Sequence, residues 1–198
     1  MVNHYVFGYG SLINAESRAR TGRTGAAIPA RVRGFQRSWN VVDRVARLTF
    51  LGVVRQETVL TNGMLVSVSA ADLPRFDRRE GGYTRIEVDR AHVVGLNAEP
   101  IPPTIWIYLP DEPGRPSEDY PIAQSYVDVV LAGCLEVSKS FAAEFVRTTT
   151  NWDCPWVEDR AAPRYVRAAQ GIAAARYAEI DRTLGENGVS RIRPSQER

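Results

Sequence analysis

The sequence predicts a mixed α+β fold: a curved, mostly antiparallel sheet or partial β-barrel, flanking helices, and a C-terminal helical extension. Three observations lead there. Runs rich in β-branched and aromatic residues recur up to residue 110. A proline-rich, acidic stretch over 110–121 then interrupts them. From 122 onward, apolar residues return at helical spacing. With no internal repeat visible, one domain is expected over 1–185, strand-rich over 1–110 and helix-rich over 121–185, with a polar tail over 186–198.

Residues 5–8 read as a first strand that runs into glycine. Residues 14–29 are polar, rich in Arg, Gly and Thr, and show no clear period. Strands are expected over 30–42 and 48–55, with a turn at Thr61-Asn62-Gly63 folding 64–69 back as a hairpin strand. Ser69 would cap a short helix over 70–79 that Gly81-Gly82 stops. Further strands fall over 84–94 and 104–109. Ile122, Val129, Val130, Leu135, Phe141 and Phe145 fit two helices broken near Ser138, and 152–160 looks irregular. Pro163 suits a first helical turn. Val166, Ala169, Ala173, Tyr177, Ile180 and Leu184 then form the stripe of a helix lying on a core.

Composition narrows the function. Hydrophobic residues at 44% and charged residues at 24% describe a globular chain rather than a disordered one. The net charge is only +2, and the arginines form no basic stripe interleaved with aromatics, which argues against a nucleic-acid partner. Cys134 and Cys154 lack metal-site or redox spacing and suit a reducing compartment. There is no leader pattern and no long uncharged apolar run, so the expected location is cytoplasmic, with no membrane partner.

Two segments could carry chemistry. The first is Phe7-Gly8-Tyr9-Gly10-Ser11-Leu12-Ile13, whose spaced glycines let backbone N–H groups converge on one point. Such donors hold an anion or a developing oxyanion, although a tight turn would use the same glycines for geometry alone. The third glycine of a dinucleotide fingerprint is missing, as is the Gly-Lys-Ser/Thr of a phosphate loop. The second segment is Asp77-Arg78-Arg79-Glu80-Gly81-Gly82-Tyr83. On a helix, Asp77 and Glu80 share a face. A carboxylate at the helix end meets the unfavourable pole of the macrodipole, which raises its proton affinity and suits acid/base work. A solvated Glu80 paired with Arg79 or Arg85 is the plainer reading of the segment alone.

Taken together, the two segments resemble the γ-glutamyl cyclotransferase-like superfamily, including its ChaC-like branch. Phe7 to Leu12 is similar to the superfamily's substrate loop. The DxxEG run from Asp77 to Gly81, followed by Tyr83, Arg85 and Val88, is similar to its second motif. The resemblance spans residues 5–133. It implies a small-molecule γ-glutamyl substrate held by Val6, Phe7, Gly8, Tyr9, Gly10, Ser11 and Leu12. It also implies Glu80 as catalytic acid/base, 5-oxoproline and an amine as products, and no metal, nucleotide or other cofactor.

The superfamily also carries a substrate-binding tyrosine beyond its last strand. Tyr120 sits in a PSxxY element, while Tyr126 stands seven residues before Gly133; the helix spacing favours Tyr126. One departure stands out: Glu80 abuts Gly81-Gly82-Tyr83, where the ChaC-like branch inserts a residue. That leans toward the broader superfamily rather than a strict glutathione enzyme. The block with Trp152, Trp156, Asp159 and Arg160 has no counterpart in the shortest members. It could pack as core, cover the pocket or form a homodimer surface. Within the superfamily, the rival is removal of a γ-glutamyl group from an amine such as a crosslink fragment or biosynthetic intermediate. Two rivals from other classes remain, a non-catalytic binding domain and a Cys–His hydrolase drawing on His4 or His92. The presence of Glu80 counts against the first, and the setting of both cysteines against the second.

Overall fold

Long paired strands form the frame of the computed structural model, which describes residues 4–21, 24–165 and 172–189. β1 (His4–Gly8) pairs antiparallel with β3 (Leu48–Val68), from His4 opposite Val68 to Gly8 opposite Met64. β3 in turn forms a long antiparallel hairpin with β2 (Ala27–Asp43). β4 (Tyr83–Glu87), β5 (Val93–Gly95) and β6 (Ile105–Pro110) complete the main path, in the order β4-β6-β1-β3-β2-β5. The two-residue strands β7 (Ile122–Ala123), β8 (Thr149–Thr150) and β9 (Trp156–Val157) attach beside it. Register shifts at Arg33/Gly34 and Trp39/Val41 bend the long hairpin and curve the sheet. Among the described residues the sheet is open rather than closed into a barrel.

Among the described residues, five helices flank it: α1 (Ala15–Thr21), α2 (Leu73–Arg79), α3 (Gln124–Val137), α4 (Lys139–Arg147) and α5 (Ala174–Glu186). The expected break at Ser138 is present. Its N–H donates to the Cys134 carbonyl, closing α3, while its hydroxyl accepts from the Phe141 N–H to open α4. α3 is apolar almost all round and is buried from Gln124 to Leu135, as a core helix should be. Gly133 lets it approach the chain at Asn14, because a Cβ there would lie 2.6 Å from the Asn14 backbone. Among the described residues, no helix is long and apolar enough to cross a membrane.

Several expectations need correction. Residues 61–63 are not a turn; β3 runs straight through them, and the hairpin reverses over 44–47, where Arg47 adopts a φ of 52°. Asn62 can sit in a buried strand because its polar atoms are satisfied by the Arg37 guanidinium and the Phe141 carbonyl. The unpatterned stretch after residue 14 contains α1, started by the Asn14 side chain, which accepts from the Ser17 N–H at 2.8 Å. The strand expected over 84–94 is split: β4 and β5 lie on opposite edges of the sheet, separated by a 3₁₀ turn that Asp89 caps. α2 begins at Leu73 rather than residue 70, although Ser69 does accept from the Asp72 N–H. Pro163 opens no helix, since α5 starts at Ala174; Val166 and Ala169 lie outside the described residues.

One buried cation joins these layers. Arg37 of β2 is fully buried, and its guanidinium donates to Asn62 O (2.6 Å), Asn62 Oδ1 (2.8 Å), Thr148 Oγ1 (2.9 Å), Thr149 Oγ1 (2.8 Å) and Phe145 O (3.1 Å). It also lies 3.6 Å above the Phe145 ring. Burial lowers its pKa to about 9, which still leaves it charged at neutral pH. Arg37→Met should therefore destabilise the fold by about 3 kcal/mol or more, because several buried acceptors lose their donor together. Urea unfolding with an unchanged m-value is the measurement; a loss under about 1 kcal/mol would show that the acceptors find other partners.

Candidate active site

β1 delivers the chain into the site at Gly8, and the backbone then folds into a 3₁₀ turn over Ser11–Ile13. The Ile13 and Asn14 N–H groups close that turn on the carbonyls of Gly10 (2.9 Å) and Ser11 (3.2 Å). The first N–H groups of a helical turn have no partner within it, and the Ser11 backbone faces the Tyr126 hydroxyl instead. The carbonyl side is held from behind. Arg18 of α1 donates to Leu12 O (2.9 Å) and Ile13 O (2.5 Å), and Arg37 approaches Tyr9 O at 3.5 Å. The Tyr9 hydroxyl donates to the Tyr108 carbonyl at 2.7 Å, fixing the loop to β6.

Glu80 is the residue that ends α2. Its N–H still donates to Phe76 O, while its φ of −89° and ψ of 38° leave the helix. Its carbonyl accepts from the Tyr83 N–H, and Gly82 at a φ of 87° turns the chain into β4. The neighbouring acid has a different environment. Asp77 accepts from the Tyr108 hydroxyl at 2.8 Å and pairs with Arg85 at 3.0 Å, while Arg85 lies over the Trp106 ring. Arg85 is therefore engaged by Asp77.

α3 supplies the third component. Tyr126 is buried, with its ring edge-on to Trp39, Phe50 and Tyr165. The Ser11 backbone lies beside its hydroxyl and counters part of the effect of burial on it. A Cβ on Gly10 would come within 2.8 Å of that oxygen, so glycine is what lets loop and hydroxyl meet. Burial raises the Tyr126 pKa well above its ordinary value, and Tyr165, Tyr83 and Glu80 add to the rise. Tyr9 is raised likewise, by burial first and then by Tyr83, Glu80 and Tyr126. The Glu80 carboxylate is thus close enough to act electrostatically on both hydroxyls.

These parts share one cavity of about 770 Å³. Val6, Phe7, Gly8, Tyr9, Gly10, Ser11, Leu12, Glu80 and Tyr126 all line it. Tyr120, the competing tyrosine, is not among the lining residues; its carbonyl instead accepts from the Thr49 hydroxyl. Neither cysteine and neither histidine lines the cavity, and burial raises the pKa of both thiols. That removes the geometric basis of a Cys–His hydrolase. Sequence reading missed Phe50, Tyr108 and Tyr165. No local motif marks them, because strands and a loop far apart in the chain bring them together.

Residues 6–127 match the family described as Gamma-glutamyl cyclotransferase, AIG2-like. Among solved structures, one titled "Gamma-glutamyl cyclotransferase" superposes with a TM-score of 0.59 at 15% identity, covering 91% of this chain and 99% of that one. An uncharacterized protein, loc79017 from Homo sapiens, gives 0.57 at 16% identity with the same coverage. YkqA from Bacillus subtilis gives 0.53 at 18% identity, over 73% of this chain and 53% of that one. At these identities the likeness is one of fold. No curated protein matches the chain in sequence.

Two outcomes follow from the site geometry. Gly10→Ala should cost about 1–3 kcal/mol by crowding the Tyr126 hydroxyl, and less in a Tyr126→Phe background, where that oxygen is absent. Denaturant unfolding of the four proteins reads the coupling, and strictly additive costs would contradict the contact. The buried tyrosines stay neutral in the fold at a pH where the unfolded chain ionises. Each therefore contributes stability that is intact below the ordinary tyrosine value of 10.0 and lost as pH rises above it. Arg37, with a lowered pKa, works in the opposite sense above about 9. Because Tyr9, Tyr108, Tyr126 and Cys134 are all raised, stability should fall steeply above pH 10. A flat profile of denaturation midpoints there would count against buried, neutral hydroxyls.

Proposed function

We propose that this chain, which belongs to the AIG2-like γ-glutamyl cyclotransferase family, converts a γ-glutamyl compound to 5-oxoproline and a free amine with Glu80 as acid/base. The observation that carries this reading is the convergence of the Phe7–Leu12 loop, Glu80 and Tyr126 on one cavity. In the reaction the substrate's α-amine attacks its own γ-carbonyl carbon. The new C–N bond closes a five-membered ring as the amine gives up a proton to the Glu80 carboxylate. Glu80 then returns that proton to the departing nitrogen as the old C–N bond breaks. One group serves both transfers, so the proton balance closes within the site.

The loop's part is electrostatic. N–H groups at the start of the 3₁₀ turn bind the substrate and stabilise negative charge that gathers on the γ-carbonyl oxygen in the transition state. The Tyr126 hydroxyl, kept neutral by burial, binds the substrate beside the loop. Holding the glutamyl chain folded supplies much of the remaining acceleration, because attack is intramolecular and needs orientation more than encounter. The two buried free cysteines suit a reducing compartment, so we place the reaction in the cytosol.

Glu80→Gln keeps the shape of the side chain and removes its proton-accepting capacity. 5-Oxoproline release from γ-glutamyl dipeptides and γ-glutamyl amines should fall by about 10²–10⁴-fold, with the melting temperature little changed. Near-normal turnover in that variant would rule out the proposed acid/base role. Failure of the wild-type protein on the whole panel would favour a binding domain instead.

A further inference from the structure

The family match ends at residue 127, yet the cavity wall also includes Arg164 and Tyr165, far beyond it. Asp159 puts them there. Its carboxylate is 6% exposed and accepts from the Ser125 N–H (2.7 Å), the Ser125 hydroxyl (2.6 Å) and the Arg164 N–H (2.8 Å). The Tyr165 N–H donates in turn to Ser125 Oγ at 3.2 Å. Asp159 thus satisfies a first-turn donor of α3 from a distant part of the chain, and latches residues 159–165 against the turn that bears Tyr126. At the other side, the Arg164 guanidinium donates to the Arg47 carbonyl at 2.8 Å, fastening this strap to the β2–β3 turn.

We infer that the strap and the β2–β3 hairpin select the leaving amine, favouring γ-glutamyl compounds whose amine carries an apolar or aromatic body. The inference rests on the cyclotransferase reading and concerns the part of the cavity the reaction itself leaves unused. A cavity of about 770 Å³ lies toward the upper end of the roughly 300–1,000 Å³ typical of small-molecule sites, well beyond what a γ-glutamyl group fills. One side of the remaining wall is apolar, formed by Phe50, Leu51, Val41, Val42 and Tyr165. Phe50, Tyr126 and Tyr165 form an aromatic trio with centroids 4.8–5.8 Å apart. A flat or branched apolar group beside them loses water and gains edge-on ring contacts.

A charged tail gains less. The Asp43 carboxylate accepts from the Val45 and Ala46 N–H groups of its own turn, and Asp111 accepts from the Thr84 hydroxyl. Arg164 faces backbone carbonyls. Outside Glu80 the charged lining is mixed, with Asp43, Asp111 and Glu112 against Arg44 and Arg164, a net of −1 and so only a weak preference for either charge.

The test uses the full chain with γ-glutamyl-phenylalanine and γ-glutamyl-glycine. In the wild-type protein, kcat/KM for 5-oxoproline release should favour the phenylalanine compound by about tenfold or more, carried mostly by KM. Tyr165→Ala and Phe50→Ala should each narrow that ratio to about twofold. Phe50 is only half-buried, so its variant serves if Tyr165→Ala fails to fold. Calorimetric binding of both compounds to Glu80→Gln and to its double variants with Tyr165→Ala and Phe50→Ala separates this inference from the reaction. Absence of turnover with the binding preference intact would sink the cyclotransferase reading alone. A ratio near one in the parent protein, or one that survives both substitutions, would overturn the inference.

Discussion

A buried guanidinium held by neutral acceptors is the constraint on which this architecture turns. Burying a cation costs several kcal/mol unless its donors are met, and Arg37 meets its own with carbonyls, hydroxyls and one side-chain amide. Those acceptors come from β3, from the end of α4 and from β8 at once. The C-terminal end of a helix carries partial negative charge, so the last turn of α4 suits a cation better than a neutral donor. Were the sheet, α4 or the loop at Tyr9 to shift, the charge would be left partly unsolvated. The fold therefore resists small displacements behind the site more strongly than apolar packing alone would.

That rigidity matters because the site is assembled from weak, directional parts. Backbone N–H groups act only if they are aimed, and the loop is held by Arg18 on its carbonyl side and by the Tyr9 hydroxyl on β6. Tyr126 is set by ring contacts on several sides. Glu80 sits where a helix has just ended, so its backbone is pinned by Phe76 O and Tyr83 N while its half-buried side chain faces the cavity. The second acid of the motif, Asp77, is taken up by Tyr108 and Arg85. The two carboxylates of one short helix thus have separate settings: one braces β4 and β6, and the other faces the cavity.

Local chemistry was legible in the sequence, and long-range chemistry was not. The glycine loop after β1, Glu80 at the end of α2 and the helix break at Ser138 are each written in consecutive residues, by propensity and capping. Thr61-Asn62-Gly63 reads as a turn for the same reason, yet Asn62 is a buried strand residue because Arg37 waits for it across the hairpin. α1 has no apolar stripe to announce it, only Asn14 as a cap. The run over 84–94 has the composition of one strand but serves two edges of the sheet, a matter of topology rather than propensity. The preference for Tyr126 over Tyr120 came from spacing within a helix. Tyr165 and Phe50 had no such signal, because what defines them is their meeting.

The latch at Asp159 also has a consequence in time. A chain is made from its N-terminus at about 5–20 residues per second, so the loop and Glu80 leave the ribosome before the strap that completes their wall. Until then the start of α3 lacks the carboxylate that satisfies Ser125, and the aromatic face beside Tyr126 is open to solvent. The nascent protein can hold the loop and Glu80 in place while the wall beside Tyr126 is still unbuilt. The closed form of the cavity is, in this sense, the last property the molecule acquires.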